Sequence, residues 1–216
     1  MIEYIQFFFN YVMHLDTNLA LLVGQYGHWV YGILCLVIFC ETGLVATPFL
    51  PGDSLLFAAG AVASTGALSP HLLVVLLFFA PLLGDNCNYW VGRFLGPKVF
   101  SRPKSILLNP AHLLRTHAFY EKHGHKAIII ARFAPIIRTF APFVAGIGRM
   151  RYLKFLLFSV IGAALWVPTF IYAGYFFGNI PFVKKNFTLV IFTIIGISLL
   201  PAFMGFLKGL RAKKDA

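Results

Sequence analysis

Residues 127–148 read AIIIARFAPIIRTFAPFVAGIG, an apolar stretch that is long enough to enter a lipid bilayer but contains two arginines and two prolines. Proline has no N–H, so Pro135 and Pro142 leave the carbonyls of Ala131 and Arg138 without their helical donors. Unpaired backbone at membrane depth is tolerated only where it lines a wet cavity walled by protein. The stretch therefore predicts a re-entrant hairpin that opens on a cavity.

A second broken stretch precedes it in the chain. Residues 41–53 read ETGLVATPFLPGD, and Pro48, Pro51 and Gly52 interrupt helical structure there. We interpret residues 42–66 as a second hairpin, entering from the opposite side of the membrane. Ordinary proline kinks in two spanning helices are the alternative, and the prolines alone do not decide between them.

The composition indicates that lipid is the solvent of this protein. Hydrophobic residues make up 59% of the chain and charged residues only 12%, which is too apolar for a soluble domain of 216 residues. Four stretches without Asp, Glu, Lys or Arg are long enough to contain a membrane helix: 17–40, 54–84, 155–183 and 186–207. The sequence thus predicts an all-α polytopic membrane protein.

The basic residues are distributed unevenly. The net charge is +11, yet no Lys or Arg precedes Arg93. Basic residues then cluster in 93–126 and in the tail 208–216. The positive-inside rule places both segments, and hence the C-terminus, in the cytoplasm. This explains the charge more simply than a nucleic-acid partner, which we do not expect.

The two halves of the chain resemble each other. Phe57-Ala58-Ala59-Gly60 parallels Phe143-Val144-Ala145-Gly146, and the stretch 89–96 parallels 171–178, each with a Gly-x-x-x-Gly pair. The charge pattern makes the two copies inverted, a plan that transporters use with broken helices at the midplane. We therefore expect one membrane domain over 1–216, divided as follows: an interfacial helix (1–25), the first repeat (28–92), a cytoplasmic connector (93–126), the second repeat (127–178), a last membrane helix (187–207) and a basic tail (208–216).

Ionisable residues flank both breaks. Glu41 and Asp53 lie at the first, and Arg132 and Arg138 at the second. Each costs about 2.5–3.5 kcal/mol at mid-bilayer, so all four must pair, hydrate or bind something. Two convergent Arg side chains beside helix N-termini would form an anion site suited to phosphate. Alternatively, both Arg residues only neutralise Glu41 and Asp53 in structural ion pairs.

The acids suggest proton exchange. Desolvation and a nearby Arg act in opposite directions on a buried carboxylate, so Glu41 or Asp53 could titrate near neutral pH and couple anion movement to a proton gradient. Asp85, between Gly84 and Asn86, is a third buried acid. It either joins this relay or is solvated in a notch between helices.

We expect no metal site, no cofactor and no catalytic residue. Four residues could bind zinc on one helix face, but the flanking Lys and Arg favour a cytoplasmic interfacial helix. These residues are His117, Glu121, His123 and His125. The sequence contains no nucleophile elbow, Walker loop or zinc-protease signature.

The chain resembles the bacterial DedA family, which lies within the wider group that shares the SNARE-associated or VTT domain. The resemblance is most specific in 41–53 and in Ala131-Arg132-Phe133-x-Pro135-x-x-Arg138-Thr139, followed by Pro142 and Ala145-Gly146. It implies an inner-membrane domain with two opposed hairpins, dependence on the proton-motive force, and translocation of undecaprenyl phosphate, the carrier lipid of cell-wall synthesis.

On this resemblance we predict a lipid transporter, not an enzyme, that is compatible with a homo-oligomer. Arg132, Arg138 and Thr139 are expected to hold the phosphate, and Glu41, Asp53 and Asp85 to carry protons. Two other functions stay open: a proton-coupled porter for small ions, which has less use for two Arg residues, and a phosphatase acting on a polyprenyl pyrophosphate, which needs a nucleophile.

Overall fold

The computed structural model describes residues 15–43, 52–99 and 127–196. Within these ranges every regular element is a helix, which confirms the predicted all-helical class. The helices are α1 (Leu15–Tyr26), α2 (Trp29–Gly43), α3 (Gly52–Ala63), α4 (Pro70–Val99), α5 (Ala127–Ala131), α6 (Pro135–Ile147), α7 (Tyr152–Phe177), α8 (Pro181–Lys185) and α9 (Phe187–Gly196).

Two of the described helices are long and apolar enough to cross a membrane. They are α4, over Pro70–Leu95, and α7, each with a span of 26 residues. Both expose large apolar side chains at intervals of three or four residues, including Phe79 and Phe94 on α4 and Leu153 and Leu157 on α7. Leu153 is 71% exposed and Phe94 74%. Such stripes suit contact with lipid, because a soluble protein rarely exposes so much contiguous apolar surface.

The first two charge-free stretches each contain parts of two helices, which the sequence does not indicate. The stretch 17–40 forms α1 and α2, separated by a turn at Gly27, whose φ is +53°. The stretch 54–84 contains most of α3 and the first half of α4, with Gly66 at φ +86° in the connecting turn. Glycine adopts positive φ without steric cost, so it ends each helix in a sharp turn. The shorter helices do not reach the length of a full span.

The remaining two stretches and the N-terminal segment are described in part. Residues 155–177 lie in α7, and the last stretch is described as α9 up to 196. The expected interfacial helix over 1–25 overlaps α1, and its first fourteen residues lie outside the described part of the chain.

The second broken segment is interrupted before Pro135, as its sequence indicates. Helix α5 ends at Ala131, and α6 begins at Pro135 after the turn 132–134. Pro142 differs from expectation, because α6 continues through it. One missing backbone hydrogen bond is cheaper here than ending the helix, since the residues on both sides of Pro142 are buried. These buried residues are Phe140, Ala141, Phe143 and Val144.

The first broken segment is described only on its two sides. Helix α2 ends at Gly43, and Gly52 is the first residue of α3. Pro48 and Pro51, which were expected to break this segment, lie outside the described residues.

The described residues group into two compact units, each built from separate parts of the chain. The first unit contains residues 15–38, 52–80 and 165–196. The second unit contains residues 39–43, 81–99 and 127–164.

In the first unit, α3 packs closely against α7 at two glycines. A β-carbon added at Gly60 would overlap the carbonyl oxygen of Ile171, and one added at Gly174 would overlap that of Phe57. Backbone therefore meets backbone, which only glycine permits at this distance.

In the second unit, α6 packs against α4 in the same manner. A β-carbon at Gly146 would overlap the carbonyl oxygen of Tyr89, and one at Gly92 that of Phe143. The four glycines are those that the internal sequence similarity aligns, Gly60 with Gly146 and Gly92 with Gly174. Equivalent contacts in both units support a duplicated segment. The inverted orientation of the copies and the two re-entrant hairpins stay predictions.

Candidate functional site

A buried charged cluster lies in the second unit. Arg132, in the turn between α5 and α6, is 2% exposed and forms an ion pair with Asp85 of α4. The same nitrogen, Nη2, donates to the hydroxyl of Ser159 on α7 at 3.0 Å and to its carbonyl oxygen at 3.3 Å. The Ser159 hydroxyl in turn donates to Oδ2 of Asp85 at 2.5 Å. Two helices and a turn thus hold one guanidinium group.

Most of this guanidinium group has no acceptor. Nε and Nη1 of Arg132 are buried and make no hydrogen bond in the part of the chain that the structure describes. Unsatisfied buried donors are rare in native proteins and each costs about 1–3 kcal/mol, more when the group is charged. Gly162 leaves room at this edge, since a β-carbon there would lie 3.0 Å from Nε. The unused donors point to a ligand that accepts hydrogen bonds.

The second arginine belongs to the same cluster. Arg138, in α6, is 3% exposed and forms an ion pair with Glu41 near the end of α2. It also lies close enough to Arg132 and Asp85 for direct electrostatic interaction. The cluster therefore holds two cations and two carboxylates, with no net charge when all four are ionised.

The N-terminus of α6 lies between the two arginines in the sequence. Its N-cap residue is Ala134, which has no side chain able to cap, and Pro135 occupies the first turn. The first backbone N–H groups of a helix have no partner within the helix and carry a partial positive charge. The 13 residues of α6 therefore add a helix dipole to the local field that two arginines create.

Asn88 of α4 connects the two broken segments. It is 1% exposed, and its Nδ2 donates to the carbonyl oxygens of Thr42 at 2.7 Å and of Thr139 at 3.2 Å. Thr42 neighbours Glu41, and Thr139 neighbours Arg138. One amide thus fixes the backbone beside both members of an ion pair, and it places Thr139 in the cluster as the sequence predicts.

Asp53 belongs to the first unit. It is the second residue of α3, 5% exposed, and accepts a hydrogen bond from Nε1 of Trp166 at 2.8 Å. Five of the six predicted site residues therefore belong to the second unit, and Asp53 belongs to the first. Arg132 pairs with Asp85, whereas the ion-pair interpretation of the sequence named Glu41 and Asp53 as the partners of the arginines.

Ser159, Gly162, Trp166 and Asn88 were not identified from the sequence. The first three lie three and four residues apart on α7, so they share one face of this mostly apolar helix. That shared face is the feature of the sequence that could have found them. Asn88 gives no signal except that it is a polar residue within an apolar span.

The described residues contain no cluster of three potential metal ligands. The cluster of His117, Glu121, His123 and His125 lies outside the described residues.

Together, the apolar spanning helices and the buried charged cluster define a helical membrane protein with a polar site inside it. The VTT domain family matches residues 50–176, which include the cluster except for Glu41. The chain belongs to the DedA family of membrane proteins, which share this domain.

Similar proteins include two that are named as membrane proteins. Protein DedA of Escherichia coli is 54% identical, with 99% of each chain covered. An uncharacterised membrane protein of Mycobacterium tuberculosis is 40% identical over 89% of this chain and 86% of its own length. The inner membrane protein YqjA of Escherichia coli is 35% identical over 72% of this chain and 71% of its own. No solved structure matches the chain.

Proposed function

We propose that this protein moves an anionic polyprenyl phosphate across the bacterial inner membrane, as a transporter and not as an enzyme. The observation that carries the proposal is the pair of buried donors on Arg132, Nε and Nη1, which have no acceptor among the residues that the structure describes. A phosphate group has several strongly accepting oxygens, and arginine binds it through parallel N–H bonds.

The surroundings of Arg132 favour an anion. Arg138 adds a second positive charge, and the uncapped N-terminus of α6 adds a helix dipole. The structural ion pairs that the sequence left as an alternative are present in part, with Glu41 on Arg138 and Asp85 on Arg132. The pair with Asp85 uses one nitrogen of Arg132. The other two nitrogens have no acceptor in the described part of the chain and can bind a ligand.

The charge of the cluster supports coupling to protons. Because two arginines and two carboxylates already balance, a phosphate that enters the cluster brings uncompensated negative charge into a buried place. Uptake of a proton by a carboxylate restores the balance. Glu41 and Asp85 are placed to do this within the cluster, and Asp53 of the first unit is the third candidate.

We infer the identity of the lipid and its role in the cell from the resemblance to the DedA family. That resemblance suggests undecaprenyl phosphate, returned for reuse in envelope synthesis, as the substrate. A polyprenyl chain suits a protein whose spanning helices expose apolar stripes to the bilayer, since the chain can stay in lipid while the phosphate enters the cluster.

Reconstitution in liposomes tests the proposal. We expect labelled undecaprenyl phosphate to exchange between leaflets only with the protein present, and faster under a proton gradient. Release of inorganic phosphate from undecaprenyl pyrophosphate would support the phosphatase. Ion flux without lipid movement would support the small-ion porter. The Arg132→Ala variant is the control, since it should abolish lipid exchange but not the insertion of the protein.

A further inference from the structure

The guanidinium group of arginine has two edges that bind an anion through a pair of parallel N–H bonds. One edge is formed by Nε and Nη2, the other by Nη1 and Nη2, because the side chain itself blocks the space between Nε and Nη1. Nη2 is common to both edges. Any bidentate ligand of Arg132 must therefore use Nη2.

In the structure Nη2 is already taken. It donates to Asp85 and to Ser159, while Nε and Nη1 have no acceptor in the described residues. Nη2 has two N–H bonds, one on each edge, and it donates to both Asp85 and Ser159, so the donors that Nη2 would offer a bidentate ligand are already used.

We propose that Asp85 is a built-in competitor of the transported phosphate: the ligand forms two parallel N–H bonds with the edge of Arg132 that Asp85 occupies only after it displaces this carboxylate from Nη2. This inference rests on the proposed function and assigns to Asp85 and Ser159 a part in controlling access to the site. Asp85 acts on the ligand through Arg132, so it is a positioning residue.

Ser159 holds this competitor in place. Its hydroxyl donates to Oδ2 of Asp85 at 2.5 Å and accepts from Nη2 of Arg132 at 3.0 Å, so it fixes the carboxylate against the guanidinium group. The charged groups that face Asp85 in the second unit are Arg132 and Arg138, and Glu41 pairs with the latter. Leaving Arg132 makes it harder for Asp85 to stay ionised in a buried position, so ligand binding is accompanied by uptake of a proton from water.

Binding of inorganic sulfate to the full chain in detergent micelles tests the competition, because sulfate stays fully ionised at every pH used. In the wild type, sulfate should bind more tightly as the pH falls. Asp85→Asn should bind about tenfold more tightly than the wild type at neutral pH, since an amide competes poorly for Nη2. It should also lose most of the pH dependence, leaving only the part contributed by Glu41.

A second variant covers the case in which Asp85→Asn does not fold. Ser159→Ala keeps every charge but removes the hydroxyl that holds Asp85 in place, so sulfate should bind a few-fold more tightly. Thr169→Ala is its matched control on the same helix, because the Thr169 hydroxyl donates to the exposed carbonyl oxygen of Leu165. Its affinity for sulfate should equal that of the wild type.

Thermal stability gives a second readout. Asp85→Asn should melt lower than the wild type without sulfate, because Arg132 loses its counter-ion, and sulfate should raise its melting temperature more than that of the wild type. Unchanged or weaker sulfate binding in either Asp85→Asn or Ser159→Ala overturns the competition. If lipid exchange in liposomes is still abolished by Arg132→Ala, the proposed function survives that result. Absence of lipid exchange in the wild type counts against the proposed function itself.

Discussion

Glu41 near the end of α2 and Arg138 in α6 form a buried ion pair across 97 residues of the chain. The pair joins the two segments that the sequence marks as broken, and each member neighbours a threonine whose carbonyl oxygen accepts a hydrogen bond from Asn88. The contact therefore serves the packing of the second unit as well as the charge of the site.

Removing one member of this pair should destabilise the protein, and removing both should restore stability but not transport. Glu41→Gln leaves Arg138 without the carboxylate that faces it, at a cost of about 3–5 kcal/mol. The double variant Glu41→Gln with Arg138→Gln should recover most of this loss. Melting temperature and lipid exchange measure the two effects. A double variant that regains both stability and transport would show that the pair is structural only.

The two parallel N–H donors of Arg132 should matter more for phosphate binding than its positive charge. Arg132→Lys keeps the positive charge beside Asp85 but cannot present two parallel N–H groups, so phosphate binding should fall about tenfold or more. Arg151→Lys, at an exposed position before α7, is the matched control and should bind phosphate as the wild type does. Equal binding in the wild type and Arg132→Lys would mean that the site senses charge alone.

Gly162 should be required for function but not for folding. The added β-carbon of Gly162→Ala would lie 3.0 Å from Nε and 3.1 Å from Cδ of Arg132, so the side chain must shift by a few tenths of an ångström at the edge that we assign to the ligand. Lipid exchange should fall while the melting temperature changes little, since alanine also favours the helix. Gly32→Ala in α2 meets nothing within 4 Å and is the control, with exchange unchanged.

Asn88 should tolerate no acidic substitution. Asn88→Asp replaces the amide donor that faces two carbonyl oxygens by an acceptor, which opposes a carboxylate to both oxygens in a buried place and should cost more than about 3 kcal/mol. Asn179→Asp is the matched control, because Asn179 also donates from Nδ2 to a carbonyl oxygen, that of Ser64 at 3.1 Å, but at an exposed position. Asn179→Asp should change the free energy of unfolding by no more than about 0.5 kcal/mol. Protein yield and melting temperature compare the two variants, and equal losses would contradict the assigned hydrogen bonds.

The orientation that we propose predicts which side of the membrane reaches the basic connector. A single cysteine at Lys104, in a background without Cys35, Cys40 and Cys87, should react with an impermeant thiol reagent only after the inner membrane is opened. The physical reason is the retention of Lys and Arg on the cytoplasmic side. Labelling of this cysteine in intact cells would reverse the proposed orientation.

Several features of this protein follow from the sequence alone, because each depends on local or additive properties. The membrane class follows from the summed cost of exposing apolar side chains to water. The interruption before Pro135 follows from the missing N–H of one residue, although Pro142 shows that the same chemistry does not always end a helix. The identity of the charged residues at the breaks, and their need for partners, follows from the cost of burying charge.

Only the tertiary structure decided which partner each residue has. Arg132 pairs with Asp85, which lies 47 residues earlier in the chain. It also donates a hydrogen bond to Ser159, which lies 27 residues later. Asp53, which stands in the sequence at the first break as Glu41 does, lies in the other unit against Trp166. Partner choice depends on which helix faces can approach, and here backbone contacts at Gly92 and Gly146 set that approach between α4 and α6. Spacing along the chain carries no such information, because residues far apart in sequence become neighbours only after the helices pack.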